Sequence, residues 1–298
     1  MMDREEVNLC WVAQRDQSSF HDLPRWAKWR VTKKFAKWSG KPRQVSVPLF
    51  WGQEMTIVYP EYVSGKLGRY GFFEEDVTSI FIDCLEPGMT FYDVGSHFGY
   101  FSLLASTLVG PEGQVFAFEP TANTFQVLSE NAARRDNITC NQVAAYRESG
   151  HLTFLDQGLG DSSLNFIVGD KWESGETKAG TREIQVPAIK LDDFAQQHGD
   201  PDFLKIDTEG AEVPVLEGMA NVIQRCHPTI VLELGDPVCE RTENEPSRQN
   251  VVLLQDYGYE VFEYQNFRCQ PYKVKDSYSY TNLLFRHPSR IHRSRVAA

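Results

Sequence analysis

Residues 91–100 read Phe-Tyr-Asp-Val-Gly-Ser-His-Phe-Gly-Tyr and lead into the apolar segment 101–109. A hydrophobic run that ends in Asp-x-Gly-x-x-x-Gly before such a segment predicts a strand, a tight turn and the start of a helix. Gly95 and Gly99 allow turn conformations and the close approach of a ligand, while the free N–H groups of the first helical turn favour a carboxylate or a phosphate. We therefore expect a nucleotide-like ligand at this turn.

A carboxylate follows the next predicted strand. Residues 114–118 are apolar and end at Glu119, roughly 20 residues beyond the glycines, where dinucleotide-type folds bind a ribose diol. Asp93 would repel a pyrophosphate beside the turn and attract an ammonium. S-adenosylmethionine (SAM) has an ammonium, a carboxylate and a ribose but no phosphate. The ammonium suits Asp93, the carboxylate suits the amides of residues 97–100, and the ribose suits Glu119. The pattern therefore favours SAM over NAD.

Composition limits the class of protein. The chain has 298 residues, 41% of them hydrophobic and 24% charged, which is typical of a globular protein with a sizeable core. A net charge of −11 argues against a general nucleic-acid binder. The six cysteines include no Cys-x-x-Cys pair, so no zinc site is expected. The sequence shows neither a signal-peptide pattern nor a membrane-spanning run, so we expect reduced thiols and a cytoplasmic location.

Residues 1–87 are predicted to form an N-terminal extension and residues 88–286 the main domain, because Glu86-Pro87-Gly88 breaks the chain before the first strand. Residues 287–298 form a basic tail. The extension is expected to contain, in order, a basic aromatic helix, a hairpin at 45–63, a turn-rich connection at 65–71 and a lead-in helix at 73–85.

Strand and helix patterns alternate through the main domain. Further predicted strands cover residues 114–118, 138–145, 202–206 and 229–234, predicted helices cover 122–135, 191–198 and 213–225, and elements follow at 247–256, 259–263 and 281–286. This alternation predicts an α/β fold with a parallel sheet. Residues 146–188 interrupt it with short strands at 151–155, 163–168 and 182–186, which predict an antiparallel insertion. Its polar loop, 169–180, is placed where a lid or an acceptor-specificity element could lie.

The segment 25–43 combines eight Lys or Arg residues with Trp26, Trp29, Phe35 and Trp38, and contains no acidic residue. Its spacing is helical. Tryptophans and cations on one helix indicate peripheral membrane contact, or contact with an anionic or lipid-linked substrate. The alternative is a surface helix that packs its tryptophans on the main domain.

A second group of carboxylates follows the strand 202–206. This strand leads directly into Asp207-Thr208-Glu209-Gly210-Ala211-Glu212. In open α/β sheets, ligands bind beyond the carboxyl ends of the strands where the strand order reverses. Asp207 is therefore expected to face the same ligand as Asp93, whereas Glu212 is better explained by the dipole of the helix that follows.

With these motifs, from about residue 71 to residue 233, the chain resembles the FkbM family of SAM-dependent methyltransferases. The matching blocks are Phe73-Glu74, Asp93-Val94-Gly95 with Gly99-Tyr100, Phe118-Glu119-Pro120, Asp161-Ser162-Ser163-Leu164, Leu191-Asp192-Asp193 and Lys205 to Glu212. The resemblance implies a class I methyltransferase fold, a Rossmann-like and mostly parallel sheet with an antiparallel last strand. It also implies methyl transfer, usually to a hydroxyl of a sugar, a polyketide or a related metabolite.

The resemblance also implies a cofactor site. Its residues are Glu74, Asp93, Gly95, Ser96, His97, Gly99, Tyr100, Glu119, Pro120, Ala144, Ser162 and Asp207. The family commonly has a small residue followed by Asn where this chain has Ser96 and His97. His97 is able to donate a hydrogen bond to the cofactor carboxylate or to act as a base.

Methyl transfer to an alcohol is an in-line displacement that also requires removal of the hydroxyl proton. Asp207 is the first candidate for the general base, with Glu209 or Glu233 as alternatives. Lys205 would pair with a carboxylate of this cluster or keep its tip in solvent. A divalent metal held by these carboxylates and Asp236 is possible but not favoured.

The sequence motifs are also compatible with two other functions. A nicotinamide-dependent oxidoreductase would share the glycine turn and the ribose carboxylate, but it would want Gly-x-Gly-x-x-Gly, and this chain has Gly95-x-x-x-Gly99. A non-catalytic nucleotide-binding module would tolerate loss of Asp93 or Glu119, and neither is lost. Aromatic residues of the extension could cover the acceptor side of the crevice, namely Tyr59, Tyr62, Tyr70, Phe72 and Phe73.

Overall fold

The computed structural model describes residues 2–17, 23–167, 181–236 and 246–291. The helices are α1 (Arg4–Gln17), α2 (Leu23–Ser39), α3 (Tyr62–Tyr70), α4 (Glu75–Cys84), α5 (Tyr100–Val109), α6 (Ala122–Ala132), α7 (Leu191–His198), α8 (Glu212–Glu217), α9 (Ala220–Cys226), α10 (Pro246–Asp256) and α11 (Pro288–Ile291). None of the helices within the described ranges is long and apolar enough to cross a membrane.

The strands alternate with these helices along the chain. They are β1 (Arg43–Pro48), β2 (Glu54–Tyr59), β3 (Thr90–Val94), β4 (Gln114–Phe118), β5 (Ile138–Asn141), β6 (Ala144–Ala145), β7 (Gly150–Asp156), β8 (Phe166–Ile167), β9 (Arg182–Ile189), β10 (Phe203–Ile206), β11 (Thr229–Leu234), β12 (Glu260–Gln265), β13 (Arg268–Pro271) and β14 (Thr281–Arg286).

The central sheet has the order β13-β12-β14-β11-β10-β3-β4-β5. Neighbouring strands from β11 to β5 pair in parallel, and β14 lies antiparallel between β11 and β12. This arrangement confirms the predicted fold class, including the antiparallel last strand. Because the chain builds outward from β3 in one direction and from β10 in the other, the strand order reverses between these two strands. Ligand crevices form at such a point.

The two faces of the central sheet are covered by different helices. On one face Phe91 and Phe203 pack with their ring centroids 5.7 Å apart, and Phe81 of α4 lies 5.1 and 5.2 Å from them. On the other face Tyr92 packs against Phe194 of α7 at 5.5 Å. Successive strand residues point to opposite faces, so strands covered on both sides are mostly apolar. This property made β3, β10 and β11 recognisable in the sequence.

The predicted turn-rich connection at 65–71 is wrong, because most of it belongs to helix α3. The buried Glu61 carboxylate caps this helix by accepting hydrogen bonds from two first-turn amides at 2.6 and 2.7 Å. Its glycines serve close packing rather than a turn. A Cβ at Gly68 would overlap the Tyr59 hydroxyl, so the helix can approach β2 only without a side chain there.

Other predicted elements differ at their boundaries. The strand expected at 138–145 is divided into β5 in the central sheet and β6 in a separate sheet of order β6-β9-β7-β8. That second sheet contains the antiparallel pairs of the predicted insertion. The helix expected at 213–225 is interrupted between α8 and α9, where a Cβ at Gly218 would overlap the Tyr146 carbonyl. Most of the predicted loop 169–180 and tail 287–298 lies outside the described residues.

The turn after β3 depends on Gly95. This residue has a φ of 81°, and a Cβ there would overlap the backbone carbonyl of Asp207 at the end of β10. Gly99, with a φ of 90°, would place a Cβ against the Leu128 side chain. The two glycines therefore permit the turn and its close packing on Asp207 and Leu128.

We expect Gly95→Ala to destabilise the protein more than Gly88→Ala, which shares a positive φ of 83° but has open space at its Cβ. The shared backbone strain is worth about 1–3 kcal/mol. Displacement of the Asp207 carbonyl should add about 1–3 kcal/mol for Gly95→Ala alone. Urea unfolding of both variants measures the difference, and equal losses would contradict the close approach.

Candidate active site

The carboxyl edge of the central sheet opens into a cavity of about 1070 Å³. Its walls include the turn after β3, the carboxyl ends of β4, β10 and β11, and residues of α2, α3 and the start of α4. All the predicted cofactor residues line this cavity except Asp93 and Gly99. The predicted carboxylates Asp207, Glu209 and Glu233 line it too. The structure thus brings both sequence motifs to a single cavity.

Asp93 lies just behind the cavity wall and is 1% exposed. Its Oδ2 accepts a hydrogen bond of 2.5 Å from the Ser102 hydroxyl in the first turn of α5. Its Oδ1 has no hydrogen-bond partner among the described residues. Burial raises the pKa of Asp93, and the Lys205 ammonium opposes that shift. Asp93 therefore anchors the helix N-terminus, and a direct contact with a cofactor ammonium stays a prediction.

Glu119 lies at the end of β4 and is 7% exposed. Its Oε1 accepts hydrogen bonds from the Thr121 amide at 3.0 Å and the Thr121 hydroxyl at 2.6 Å. The His97 amide also donates to this carboxylate. Burial raises the pKa of Glu119 to about 7 despite these donors. The carboxylate is thus fixed between two loops and placed at the cavity wall.

The turn itself is held by its own side chains. The Ser96 hydroxyl donates to the Asp93 carbonyl at 2.7 Å, so it is occupied within the turn. His97 has a φ of 51°, and its Nε2 lies 2.7 Å from the Ser162 hydroxyl, which joins the turn to the insertion. Burial lowers the pKa of His97, so its imidazole is neutral near pH 7. The contact with Ser162 fixes the orientation of the His97 imidazole at the cavity wall.

Tyr100 lines the cavity with its ring but not with a free hydroxyl. The Tyr100 hydroxyl is hydrogen-bonded to Thr78 Oγ1 of α4 at 3.0 Å. It therefore fastens α4 to the start of α5. Pro120 and Ala144 lie on the cavity wall, together with the apolar side chains of Phe118 and Val143. These four residues form an apolar surface next to Glu119.

Lys205 and Asp207 form a buried ion pair at the end of β10. Lys205 Nζ lies 2.6 Å from Asp207 Oδ2, and the two side chains are 3% and 21% exposed. Lys205 stands opposite Asp93 in the strand register, and its Nζ lies 5.0 Å from the Phe101 ring centroid. Burial alone would raise the pKa of Asp207, but the Lys205 ammonium and the hydrogen bonds from Glu233 and Lys205 together outweigh it and lower that pKa. Asp207 is therefore ionised at neutral pH.

Asp207 shares the cavity wall with Glu233, Tyr280 and Glu74. Burial and the Asp207 charge raise the pKa of Glu233 well above its usual range, so the protonated form of Glu233 is favoured and is hydrogen-bonded to Asp207. The Tyr280 hydroxyl donates to Glu74 Oε1 at 2.6 Å. Glu74 has a φ of 42° and caps no amide with its side chain. Burial raises its pKa to about 7.

Tyr280 was not among the residues predicted for the site, although its place in the sequence indicates it. Tyr280 immediately precedes β14, which runs antiparallel to β11. The first residues of an antiparallel strand lie at the carboxyl edge of its parallel neighbour. Once residues 281–286 are read as the antiparallel last strand, the residue before them is expected at the cavity.

Glu209 has carboxylate oxygens within 4.8 Å of those of Asp207 and Glu233, so the three could hold a metal ion. Enclosure by the cavity and the Asp207 charge raise the pKa of Glu209 to about 8, although its side chain is open to solvent. Asp236 does not join this group. Its two oxygens accept hydrogen bonds from the amides of Ser247 and Tyr278.

The extension covers one side of the cavity. Four of the five predicted aromatic residues line it, namely Tyr62, Tyr70, Phe72 and Phe73. Tyr59 does not line it and packs within the core. Two cations that sequence analysis did not assign to the site, Lys33 of α2 and Lys66 of α3, also line the cavity. The carboxylate cluster therefore faces an aromatic wall with cations.

Comparison with known proteins identifies relatives of this chain. A profile of the Methyltransferase FkbM domain matches residues 93–261. The chain is 30% identical to hexuronic acid methyltransferase AglP of Haloferax volcanii over 163 residues, which are 53% of this chain and 61% of AglP. It is 27% identical to Methyltransferase sdnD of Sordaria araneosa over 195 residues, which are 57% of this chain and 73% of that protein.

Among solved structures, the crystal structure of Methyltransferase FkbM from Methylobacillus flagellatus aligns with a TM-score of 0.43 and 13% identity. The alignment covers 67% of this chain and 43% of that one. A TM-score this low supports no inference, so the fold class rests on the strand order described above.

Proposed function

This chain belongs to the FkbM methyltransferase family, and from that premise we propose that it methylates a hydroxyl oxygen of a sugar, a polyketide or a related metabolite. The single observation that carries the proposal is the shared cavity. The carboxyl ends of β3 and β4 supply most of the predicted cofactor residues, and the end of β10 supplies an ionised carboxylate to the same cavity as the aromatic wall. SAM-dependent transfer to an acceptor needs both halves in one space.

The residues around Glu119 fit SAM. We propose that the Glu119 carboxylate accepts hydrogen bonds from the ribose hydroxyls, and that Phe118, Val143 and Ala144 contact the adenine with their apolar surfaces. The unpartnered Asp93 Oδ1 fits an ammonium, reached directly or through a water. Bound SAM supplies an electrophilic methyl group on its sulfonium.

We propose that Asp207 removes the acceptor proton. The hydroxyl oxygen forms a bond to the methyl carbon as the sulfur–carbon bond breaks, and the hydroxyl proton passes to Asp207 and then to water. The products are S-adenosylhomocysteine (SAH), a methyl ether and a proton. Lys205 keeps Asp207 ionised, and protonated Glu233 holds its carboxylate in place. His97 is the alternative base, because its neutral imidazole lines the same cavity and its Nε2 is hydrogen-bonded to Ser162.

A labelled-methyl experiment tests the proposed acceptor atom. The protein is incubated with SAM carrying a ¹³C-labelled methyl and a panel of sugars, uronic acids and polyketide alcohols, and products are examined by NMR. We expect a methoxy ether on a hydroxyl carbon. A methyl ester, or a methyl on nitrogen or carbon, would contradict hydroxyl transfer while leaving SAM use intact.

We propose that transfer is independent of a divalent metal. Lys205 already places a positive charge against Asp207, so the three carboxylates offer a metal less negative charge than their number suggests. SAH binding measured by calorimetry with added Mg²⁺ and with EDTA should agree within about twofold, and so should turnover. Loss of either in EDTA, with recovery on adding Mg²⁺, would show that the cluster holds a metal.

SAM affinity should rise with pH around neutrality. In the free protein the pKa of Glu119 is raised to about 7, and an ionised carboxylate is the stronger acceptor for two hydroxyls. Deprotonation as pH rises therefore strengthens binding, and protonation as pH falls weakens it. We expect the ratio of SAM affinities of wild type and Glu119→Gln to grow from roughly pH 6 to pH 8. A constant ratio in calorimetry would contradict the role of Glu119.

A further inference from the structure

Helix α2 has apolar side chains on two opposite faces. Trp29 is half-buried and Ala36 is 1% exposed, so this face packs on the domain. On the other face Val31, Phe35 and Trp38 are 68%, 43% and 83% exposed. These three residues recur at the spacing of one helical face. Exposed apolar groups aligned in this way mark an interaction surface.

Cations surround this outer face. Arg30, Lys34, Lys41 and Arg43 are all exposed. The Arg43 guanidinium lies 4.2 Å from the Phe35 ring centroid, so cation and aromatic groups are interleaved. Residues 25–43 contain no acidic residue, whereas the whole chain has a net charge of −11. Positive charge is therefore concentrated on residues 25–43, although the net charge of the whole chain is negative.

We propose that the outer face of α2, defined by Val31, Phe35 and Trp38 with the surrounding cations, binds the surface of an anionic lipid bilayer. Aromatic and apolar side chains enter the headgroup region while Lys and Arg contact the lipid phosphates. This chemistry also disfavours a second copy of the chain as the occupant. A two-fold contact would bring the same cations together on both sides.

Binding of this kind would set the cavity beside the bilayer. Lys33, on the inner side of α2, lines the cavity together with Tyr62 and Lys66 of α3. The outer face is separated from that wall only by the helix, whose diameter is about 10–12 Å. This consequence rests on the proposed function, because it means that a lipid-linked or membrane-associated acceptor would be presented to the cavity. The binding itself does not depend on activity.

Vesicle sedimentation of the full chain tests the proposal. The probes are vesicles of phosphatidylcholine alone and vesicles that also contain phosphatidylglycerol. We expect binding only to the phosphatidylglycerol vesicles, weakening as salt is added. The double variant Lys34→Glu/Lys41→Glu should lower the partition coefficient at least tenfold, since each cation near an anionic surface contributes about fivefold. Trp38→Ala should also lower it.

Matched controls separate this face from net charge and from misfolding. Arg268→Glu/Lys273→Glu makes the same change in charge at exposed positions elsewhere and should bind vesicles as wild type does. SAH affinity should be unchanged in every variant, which shows that the fold is intact. Absence of vesicle binding, or equal loss in the control, would overturn the proposal. So would a dimer in sedimentation equilibrium that Trp38→Ala dissociates.

Discussion

Replacing Glu119 by alanine is expected to weaken SAM binding by about 10- to 150-fold. A hydrogen bond to a charged group contributes about 1.5–3 kcal/mol, and the variant removes the carboxylate that would accept from the ribose. Glu119→Gln should lose less affinity, because the amide oxygen still accepts from Thr121 and from one hydroxyl. Calorimetric titration with SAM measures the change.

The matched control for this variant is Glu112→Ala. Glu112 is an exposed glutamate in the turn before β4, at the opposite end of the strand from Glu119. Its removal changes the net charge equally and should leave the SAM dissociation constant unchanged. An equal loss in both variants would mean that affinity follows net charge. Unchanged affinity in Glu119→Ala would place the ribose elsewhere.

Replacing Asp207 by asparagine is expected to lower turnover by about 10²- to 10⁴-fold, the usual contribution of a general base. SAM affinity should remain within a few-fold of wild type, because the contacts proposed for the ribose, the adenine and the ammonium are made by Asp93, Glu119 and the apolar residues next to Glu119, and not by Asp207. The substitution leaves the Lys205 ammonium buried without its partner, so thermal unfolding must be measured alongside SAH release. If Asp207→Asn is less stable but still binds SAH, the folded variant is present and its turnover can be compared with that of wild type.

The pH dependence of turnover distinguishes Asp207 from Glu209 as the base. The pKa of Asp207 is lowered, so turnover through Asp207 should not fall as pH decreases from roughly 8 to 6. The pKa of Glu209 is raised to about 8, so a Glu209 base would become protonated and turnover would fall over that range. Glu209→Gln should reduce turnover less than Asp207→Asn. The reverse order would reassign the base.

The sequence predicted the central sheet well because its strands are apolar on both faces. β3, β4, β10 and β11 stand out as short buried runs, and each motif carboxylate lies at or just beyond the carboxyl end of one of them. The family resemblance added the antiparallel β14. The carboxyl ends of parallel strands meet at one edge, so sequence alone also placed Asp93, Glu119 and Asp207 in one region.

The remaining features depend on contacts between distant segments. Gly65 and Gly68 predict a turn by composition, yet they permit the close packing of α3 on α2 at Gly65 and on β2 at Gly68. Asp93 lies behind the cavity wall because one of its carboxylate oxygens accepts a hydrogen bond from the Ser102 hydroxyl, nine residues later. Tyr280 reaches Glu74 across 206 residues of sequence. No local pattern encodes such contacts.

Cofactor binding and proton removal are proposed for different carboxylates of one cavity, Glu119 and Asp207. The most direct measurement is calorimetric titration of SAH into wild type, Glu119→Ala and Asp207→Asn under the same conditions. We expect Glu119→Ala to lose affinity by at least tenfold and Asp207→Asn to bind within about threefold of wild type. Equal loss of SAH affinity in the two variants would contradict this division of roles.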